Sequence, residues 1–423
     1  RLGYREDSGR EAGLHRVDPS PRPSLEGRGG HPIHQVIPGS YLLTPHGECF
    51  VVEHHHPPGH AHGSWRLDEA LDVDPRVFTW LGRDPALASF DLARSVFLDV
   101  ETTGLAGGTG TYAFLVGIGY FEGSRFVVRQ FFMDDLDLEE AMLHLLAGAL
   151  EPFSGIVTFN GKAFDVPLLE TRFLMARLSF PLQRAPHLDL LFPSRRLWRE
   201  RLESCALSSL ESAVLGVERE VDVPGWAIPG LYFSYLRGGD ARPLAAVFEH
   251  NRQDLLSLAT LLAPLGRQFQ DPFHPSVEDA HDLCTLGSIF EGLGLADRAA
   301  LCYERALSLD LPRDLYGRAM VRLGGLYKRM RLTEDAVALW QRLAEVGYGY
   351  ALVACIELAK HFEHAAREYR EAERLTLQAL ATLELRAARG ADASQVEQER
   401  RELEHRLARL RRKIEARSGA RVQ

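Results

Sequence analysis

The strongest signal in the sequence is the stretch Phe97-Leu98-Asp99-Val100-Glu101-Thr102-Thr103-Gly104. An apolar run that begins at Val96 leads into two acids, Asp99 and Glu101. Because the side chains of a β-strand alternate between its faces, these acids point to the same side. Two carboxylates on one face repel each other unless a cation lies between them, and oxygen ligands favour Mg²⁺ or Mn²⁺ over zinc. Taken alone, the motif also fits a surface strand end with ordinary acids.

The residues around this stretch predict an α/β domain over residues 92–270. Strands are expected at Val96–Val100, Tyr112–Phe121, Phe126–Phe132 and Ile156–Phe159, and a helix is expected at Leu138–Leu150. Three early strands followed by alternating helix and strand are typical of a mixed sheet with flanking helices.

Two later motifs add further acids. In the segment from Phe159 to Leu169, Asn160-Gly161 predicts a turn and Asp165 lies where a helix can begin. In His250-Asn251-Arg252-Gln253-Asp254, helical spacing places His250 and Asp254 on one face. Taken alone, Asp165 also fits a helix cap and the His–Asp pair also fits a surface contact.

Four carboxylates that meet at one point have a chemical use. Two divalent ions about 3.5–4 Å apart can hold a scissile phosphate and stabilise the attacking and leaving oxygens. His250 is then a candidate general base for the attacking water, and activation of that water by metal alone is the alternative. The candidate catalytic residues are Asp99, Glu101, Asp165, His250 and Asp254.

The three motifs, in this order, resemble those of the DEDD exonucleases of the ribonuclease-H-like superfamily. The sequence around these motifs resembles more particularly that of the YprB-like ribonuclease-H-like proteins. The segments that carry this likeness are His187-Leu188-Asp189-Leu190-Leu191, Asp222-Val223-Pro224-Gly225, Ile228-Pro229 and the His250 motif. This resemblance covers roughly residues 40–265. It implies an α/β ribonuclease-H-like fold and removal of nucleotides from a 3′ end. It also implies that Asp99, Glu101, Asp165 and Asp254 are ligands of two Mg²⁺ or Mn²⁺ ions.

The sequence departs from that family in one respect. The last DEDD motif usually has a Tyr four residues before its final Asp, or a His five residues before it. Here His250 lies four residues before Asp254, so a His occupies the Tyr spacing. The resemblance therefore supports the ligand role of the acids better than the general-base role of His250.

Several neighbouring residues are candidates for contact with a substrate. Thr102, Asn160 and Lys162 lie beside the acids, and Arg195 and Arg199 belong to a basic segment. In that segment Trp198 either stacks on a base or is buried under an amphipathic helix. Asp189 is either a further neighbour of the metal or a helix cap.

Two other motifs are assigned no role in the reaction. The Gly104–Gly110 segment lacks the Gly-Lys-Ser/Thr ending of a phosphate loop, which argues against nucleoside triphosphate binding. The histidines between His54 and His62 could bind a transition metal, but they lack the spacing of a known site. A solvent-facing loop is the preferred interpretation.

The remaining segments predict the domain organisation. Residues 1–34 are expected to be a flexible leader, and residues 35–91 an extension packed on the nuclease domain. Residues 276–390 contain Leu286-Gly287 and Tyr303, which recur as Leu323-Gly324 and Trp340. This spacing resembles tetratricopeptide repeats, with a helical bundle as the alternative, and such repeats could bind a protein partner on their concave surface.

The last segment, residues 391–423, is predicted to be a charged helix. Its residues Leu403, Leu407, Leu410 and Ile414 have the spacing of a coiled-coil seam. The basic run Arg400–Arg417 is expected to be a solvated face.

Composition limits the possible functions. A chain of 423 residues exceeds one core, and no run of about 20 apolar residues predicts a membrane span. The N-terminal region has no apolar signal segment, and the five cysteines are scattered, so we expect a cytoplasmic protein with reduced thiols. A net charge of −9 means that cations or local basic patches must compensate for contact with nucleic acid.

The sequence therefore predicts a metal-dependent nuclease acting on DNA or RNA, and the family resemblance implies that it is a 3′–5′ exonuclease. A scaffold with an inactive nuclease-like domain, whose repeats recruit a protein, is the alternative from another class. An endonuclease with the same metal site is a third possibility.

Overall fold

A computed structural model of the chain describes residues 16–17, 30–104, 110–219, 222–274, 279–346 and 348–419. The chain divides into two compact units, Arg1–Asp271 and Pro272–Gln423. The segments 92–270 and 276–390, which the sequence predicts as separate domains, lie on either side of this division. Most of the predicted leader, and the glycine-rich residues 105–109, lie outside the described residues.

The first unit contains strands and helices, as predicted. Its strands are β1 (Arg16–Val17), β2 (Ser40–Thr44), β3 (Gly47–His56), β4 (Ala61–His62), β5 (Trp65–Arg66), β6 (Ser95–Thr102), β7 (Ala113–Glu122), β8 (Arg125–Phe132), β9 (Gly155–Thr158) and β10 (His187–Asp189). Its α-helices are α1 (Ile33–Val36), α2 (Pro75–Gly82), α3 (Glu139–Leu150), α4 (Asp165–Met175), α5 (Leu191–Trp198), α6 (Leu207–Leu210), α7 (Ile228–Gly238) and α8 (Leu244–Gln270).

The described strands other than β4 and β5 form one mixed sheet of eight strands. Its order is β1-β2-β3-β8-β7-β6-β9-β10. Strand β6 pairs antiparallel with β7 and parallel with β9, which in turn pairs parallel with β10. The parallel strands β6, β9 and β10 therefore end at the same edge of the sheet, and the long helix α8 packs against β6, β7 and β8. The predicted mixed sheet with helices is confirmed.

The predicted N-terminal extension contributes directly to this sheet. Strand β3 pairs antiparallel with β8, with Phe50 opposite Phe132 and His56 opposite Phe126. Strand β2 then pairs with β3. Phe50 and Val52 of β3 are buried in the core. Residues 35–91 are thus partly a continuation of the sheet rather than only a cover packed on it.

The second unit is helical throughout its described residues. Its helices are α9 (Ala280–Gly292), α10 (Ala296–Leu307), α11 (Arg313–Arg329), α12 (Thr333–Val346), α13 (Ala351–His364), α14 (Tyr369–Ala388) and α15 (Ala393–Gly419). Equivalent glycines allow close packing in two successive helix pairs. A Cβ atom at Gly287 would lie 2.9 Å from the Tyr303 ring, and one at Gly324 would lie 2.3 Å from Trp340 Nε1. The likeness to tetratricopeptide repeats stays a prediction.

The C-terminal helix corrects one expectation. Leu403, Leu407 and Leu410 of α15 are buried, and α15 packs against α14 of the same chain. Arg409 and Lys413 form ion pairs with the buried Glu363 of α13. The expected solvated basic face is therefore corrected in part: Arg401 and Arg411 are exposed, whereas other basic residues of the run neutralise an acid of the same unit.

Within the described residues, no helix combines the length and the hydropathy needed to cross a membrane.

Candidate active site

Asp99 and Glu101 lie on β6, which is an inner strand of the sheet. Asp99 is opposite Gly117 of β7, and Glu101 is opposite Leu115. Residues 95–98 of β6 are buried, whereas both acids are partly accessible. The register becomes irregular between Glu101 and Thr102, where the strand ends. The strand therefore brings both acids from the core to the edge where β9 and β10 also end.

An asparagine of α8 fixes the position of Asp99. Asn251 is 0% exposed, and its Nδ2 donates a hydrogen bond of 2.7 Å to Asp99 Oδ2. Its Oδ1 accepts a bond of 2.8 Å from Nε2 of the buried Gln130. This approach needs a glycine at 117, since a Cβ there would lie 2.2 Å from Asn251 Oδ1. Gly117 thus lets α8 come close enough to hold the first acid.

Asp165 is the first residue of α4, where the sequence predicted a helix start. The preceding turn has Asn160 at a φ of +68°, a left-handed conformation that asparagine tolerates better than most residues. Asp189 holds this turn. Its Oδ1 accepts the N–H of Asn160 at 2.8 Å and that of Leu191 at 3.1 Å, and its Oδ2 accepts the N–H of Lys162 at 3.0 Å. Both oxygens are engaged with the backbone, which favours the cap interpretation of Asp189 over the metal interpretation.

His250 and Asp254 lie one turn apart on α8. His250 Nδ1 is 2.6 Å from Asp222 Oδ1, an arrangement that places the ring proton on Nδ1. Nε2 then faces the acids, 3.7 Å from Asp254 Oδ2 and 4.0 Å from Glu101 Oε1. Burial acts to lower the pKa of His250, but the surrounding acids outweigh it and raise that pKa.

Burial and mutual repulsion raise the pKa values of the four acids. Burial is the largest cause for Asp99, whose pKa lies well above its usual range, and Asp254, Glu101 and Asp165 add to the effect. Burial is also the largest cause for Glu101 and Asp165, and it helps to raise the pKa of each to about 7. The four predicted acids therefore interact as one cluster. A nearby cation would reverse these shifts.

The sequence analysis missed one basic residue of this cluster. Arg219 donates through Nη2 to Asp254 Oδ1, and it donates through Nε to Glu211 Oε2 at 2.8 Å. Its Nη1 donates to Asp222 Oδ1 at 3.3 Å. Arg219 lies 35 positions before Asp254, so local spacing does not reveal the contact. Its position three residues before the Asp222 motif was the one clue in the sequence to its place near the acids.

The candidate substrate-binding residues differ in the exposure of their side chains. Lys162, Arg195 and Arg199 are exposed, while Thr102 and Asn160 are partly buried. Trp198, the last residue of α5, is completely buried, which decides for the buried alternative over the base-stacking one. Two other aromatic residues of the α/β unit are exposed. Phe164, which precedes Asp165, is 58% exposed, and Trp226 is 78% exposed.

The histidine segment is not a solvent-facing loop, which corrects the preferred interpretation. His54, His55 and His56 end strand β3, and His56 and His62 are buried. Burial is the main cause that lowers the pKa of both His56 and His62 to about 4. Pairing of β3 with β8 draws this segment into the fold, where charged imidazoles are disfavoured.

The donor chemistry of the acid cluster fits a hard divalent cation. Among the described residues, no three His, Cys, Asp or Glu side chains already converge on one metal position. Asp254 is held by Arg219 and Asp99 by Asn251. The four acids nevertheless present only carboxylate oxygens, which are the ligands that Mg²⁺ and Mn²⁺ prefer.

Comparison with known proteins agrees with this geometry. An RNase_H superfamily model matches residues 96–265, the segment that contains all four acids. The chain belongs to the ribonuclease H superfamily, and this membership supports a nuclease-type hydrolase. Over 372 residues the chain is 30% identical to the uncharacterized protein YprB of Bacillus subtilis (strain 168), and the alignment covers 86% of each chain.

Proposed function

We propose that this protein is a divalent-metal-dependent nuclease that removes nucleotides from the 3′ end of DNA or RNA. The observation that carries the proposal is the cluster of Asp99, Glu101, Asp165 and Asp254, whose pKa values are all raised. Clustering four carboxylates without enough positive charge is unfavourable for folding. Bound cations would compensate for the repulsion among these carboxylates.

The four acids are the proposed ligands of Mg²⁺ or Mn²⁺. When bound, these ions would stabilise negative charge on the scissile phosphate and the leaving oxygen. Asn251 keeps the Asp99 carboxylate oriented. Gly117 and Gln130 keep Asn251 in place, so the ligand position is supported from the core.

His250 is the proposed general base. Its Nδ1 is oriented by Asp222, and its Nε2 is directed toward Glu101 and Asp254, where an attacking water would lie. A neutral Nε2 can accept the proton of that water. Because the surrounding acids raise the pKa of His250, partial neutralisation of those acids would help the ring to act as a base.

The proposed substrate contacts are polar and aromatic. Lys162, Arg195 and Arg199 are exposed and can contact phosphates, and Thr102 and Asn160 adjoin the acids. The exposed rings of Phe164 and Trp226 offer surfaces on which unpaired bases can stack. Local basic groups of this kind would offset the net charge of −9, and the aromatic rings would add stacking contacts.

The test is degradation of 5′-labelled single-stranded DNA and RNA in the presence of Mn²⁺ or Mg²⁺. We expect a product ladder that shortens from the 3′ end, and a loss of at least about 100-fold in Asp99→Asn, as is typical when one electrostatic group of an active site is removed. The control is Asp137→Asn, which makes the same chemical change at an exposed acid outside the cluster.

Other outcomes would contradict parts of the proposal. Cleavage of a circular substrate at the same rate as a linear one would replace the exonuclease with an endonuclease. Absence of cleavage of either nucleic acid, with both metals, would favour a binding scaffold. Equal activity of Asp99→Asn and Asp137→Asn would remove the acid cluster from the mechanism.

A further inference from the structure

Arg219 bridges the acid cluster and a second, buried acid. Its guanidinium is held by Glu211 through two hydrogen bonds, Nε to Oε2 at 2.8 Å and Nη2 to Oε1 at 2.5 Å. The same Nη2 donates to Asp254 Oδ1. The Arg219 side chain is only 9% exposed, so water cannot easily replace either partner. Its Nη1 also donates to Asp222 Oδ1 at 3.3 Å. One guanidinium is thus shared among three carboxylates, of which Asp254 belongs to the acid cluster and Glu211 is the most deeply buried.

Glu211 is anchored independently of the acid cluster. It begins the π-helical turn Glu211–Leu215 and is 2% exposed. Ser257 Oγ of α8 donates to its Oε1 at 2.5 Å, and His62 Nε2 lies 2.8 Å from that hydroxyl. The turn itself is fixed because Ser64 N–H donates to Leu215 O at 2.7 Å. Glu211 is therefore a fixed partner for the guanidinium of Arg219.

A divalent cation and Arg219 compete for the negative charge of the same carboxylate, that of Asp254. A metal ion that uses Asp254 as a ligand takes a lone pair of the carboxylate, and the guanidinium already occupies Oδ1. Two cations a few ångströms apart in a partly buried site also repel each other strongly. Binding of the metal to Asp254 therefore weakens the contact between Arg219 and Asp254.

We propose that Arg219 is an exchangeable counter-cation of Asp254, displaced toward Glu211 when a divalent metal binds. Arg219 is in this sense a positioning residue: it holds Asp254 before the metal arrives and lowers the affinity of the site for metal. Glu211 competes with Asp254 for the guanidinium and so favours metal binding. The inference depends on the metal site of the proposed function.

Two substitutions should change metal affinity in opposite directions. Arg219→Gln removes the competing cation, so we expect Mn²⁺ to bind about fivefold more tightly or better, in the usual range of coupling between two bound species. Glu211→Gln no longer attracts the guanidinium, which then pairs more fully with Asp254, so we expect weaker Mn²⁺ binding. The measurement is isothermal titration calorimetry of the full-length protein with Mn²⁺ alone, without nucleic acid.

Two further variants keep the test decisive. The double variant Glu211→Gln with Arg219→Gln replaces the buried ion pair by two neutral amides, and we expect it to bind Mn²⁺ more tightly than the wild type. Arg252→Gln is the control for a general loss of positive charge on α8, since Arg252 pairs with Glu249 at 2.5 Å and has no hydrogen bond to the four acids among the described contacts. We expect its affinity to stay within about twofold of the wild type, below the coupling expected for interacting sites.

The outcomes separate this inference from the proposed function. Weaker binding in both Arg219→Gln and the double variant would assign Arg219 a supporting structural role and overturn the inference. Unchanged affinity in both would do the same. If the wild type itself binds no Mn²⁺, or if Asp99→Asn binds it equally well, the proposed metal site fails and the inference fails with it.

Discussion

Each of the two units contains a cluster of buried charged groups. Acidic groups are in excess in one cluster, and basic groups are in excess in the other. Among the described residues, the acid cluster of the α/β unit combines four carboxylates with the guanidinium of Arg219 and the titratable ring of His250. In the helical unit, Glu363 has a side chain that is 0% exposed and forms ion pairs with three basic residues of α15. These residues are Arg406, Arg409 and Lys413. Burial alone would raise a carboxylate pKa in both places.

The difference in balance decides the direction of the pKa. At Glu363, hydrogen bonds from Arg409 and Lys413 outweigh burial and hold the pKa at about 2. At Glu101 and Asp165, burial and neighbouring acids leave the pKa at about 7. The Glu363 cluster is neutralised by the chain itself and needs nothing more to be stable. The acid cluster lacks positive charge, which is the property of a site that binds cations.

The largest expected effect on stability comes from breaking the Glu363 cluster. Glu363→Ala leaves three cations without their buried acid, so we expect a loss of about 3–5 kcal/mol in the free energy of unfolding of the helical unit. The matched control is Glu373→Ala, which removes a more exposed ion pair with Arg411 and should cost less than about 1 kcal/mol. Urea denaturation followed by circular dichroism measures both values. Equal losses in the two variants would contradict the structural role of Glu363.

The pH dependence of this contribution follows from the depressed pKa. A carboxyl group with a lower pKa in the folded state stabilises the fold above its unfolded pKa, about 4.5, and loses that effect as the pH falls toward about 2. The stabilisation by Glu363 is therefore complete at neutral pH, where the comparison with Glu373 is made.

The acid cluster should respond in the opposite direction. Asp99→Asn removes one of four repelling charges and keeps an oxygen for Asn251, so we expect the metal-free protein to gain about 1 kcal/mol of stability. Asp189→Asn is the matched control, because its oxygens accept three backbone N–H groups; we expect a loss of about 1–3 kcal/mol there. Calorimetry in the presence of a chelator would measure both changes. Destabilisation by Asp99→Asn as large as that by Asp189→Asn would contradict the excess of negative charge.

The same measurement at several pH values sharpens the comparison. Glu101 and Asp165 have pKa values raised to about 7, so the folded state binds more protons than the unfolded state above about pH 4.5. The stability of the metal-free α/β unit should therefore decrease as the pH rises through about 7, and the decrease should be smaller in Asp99→Asn.

Much of the fold and the positions of the acids could be predicted because the signals are local. An apolar strand that ends in Asp99 and Glu101, a turn before Asp165 and the helical spacing of His250 and Asp254 are visible in short segments. The four acids were identified in this way, and the structure places them close enough to shift one another's pKa values.

The features of the site that could not be predicted depend on contacts between segments that are far apart in the sequence. Asn251 reaches Asp99 only because Gly117 of another strand leaves room, and Arg219 reaches Asp254 across a turn anchored by Glu211. The prediction for the histidine segment was wrong for the same reason, since pairing of β3 with β8 is not visible in the local composition around His56.

The most direct test of the central claim is the change in melting temperature that Mn²⁺ causes in the wild type, in Asp99→Asn and in Asp137→Asn. A ligand that binds only the folded state stabilises it by about 2.7 kcal/mol at 100 times its dissociation constant, which corresponds to several degrees for a unit of this size. We expect Mn²⁺ to raise the melting temperature of the wild type and of Asp137→Asn, and to leave that of Asp99→Asn almost unchanged. An equal rise in all three proteins, or no rise in the wild type, would contradict the assignment of the acid cluster as a cation-binding active site.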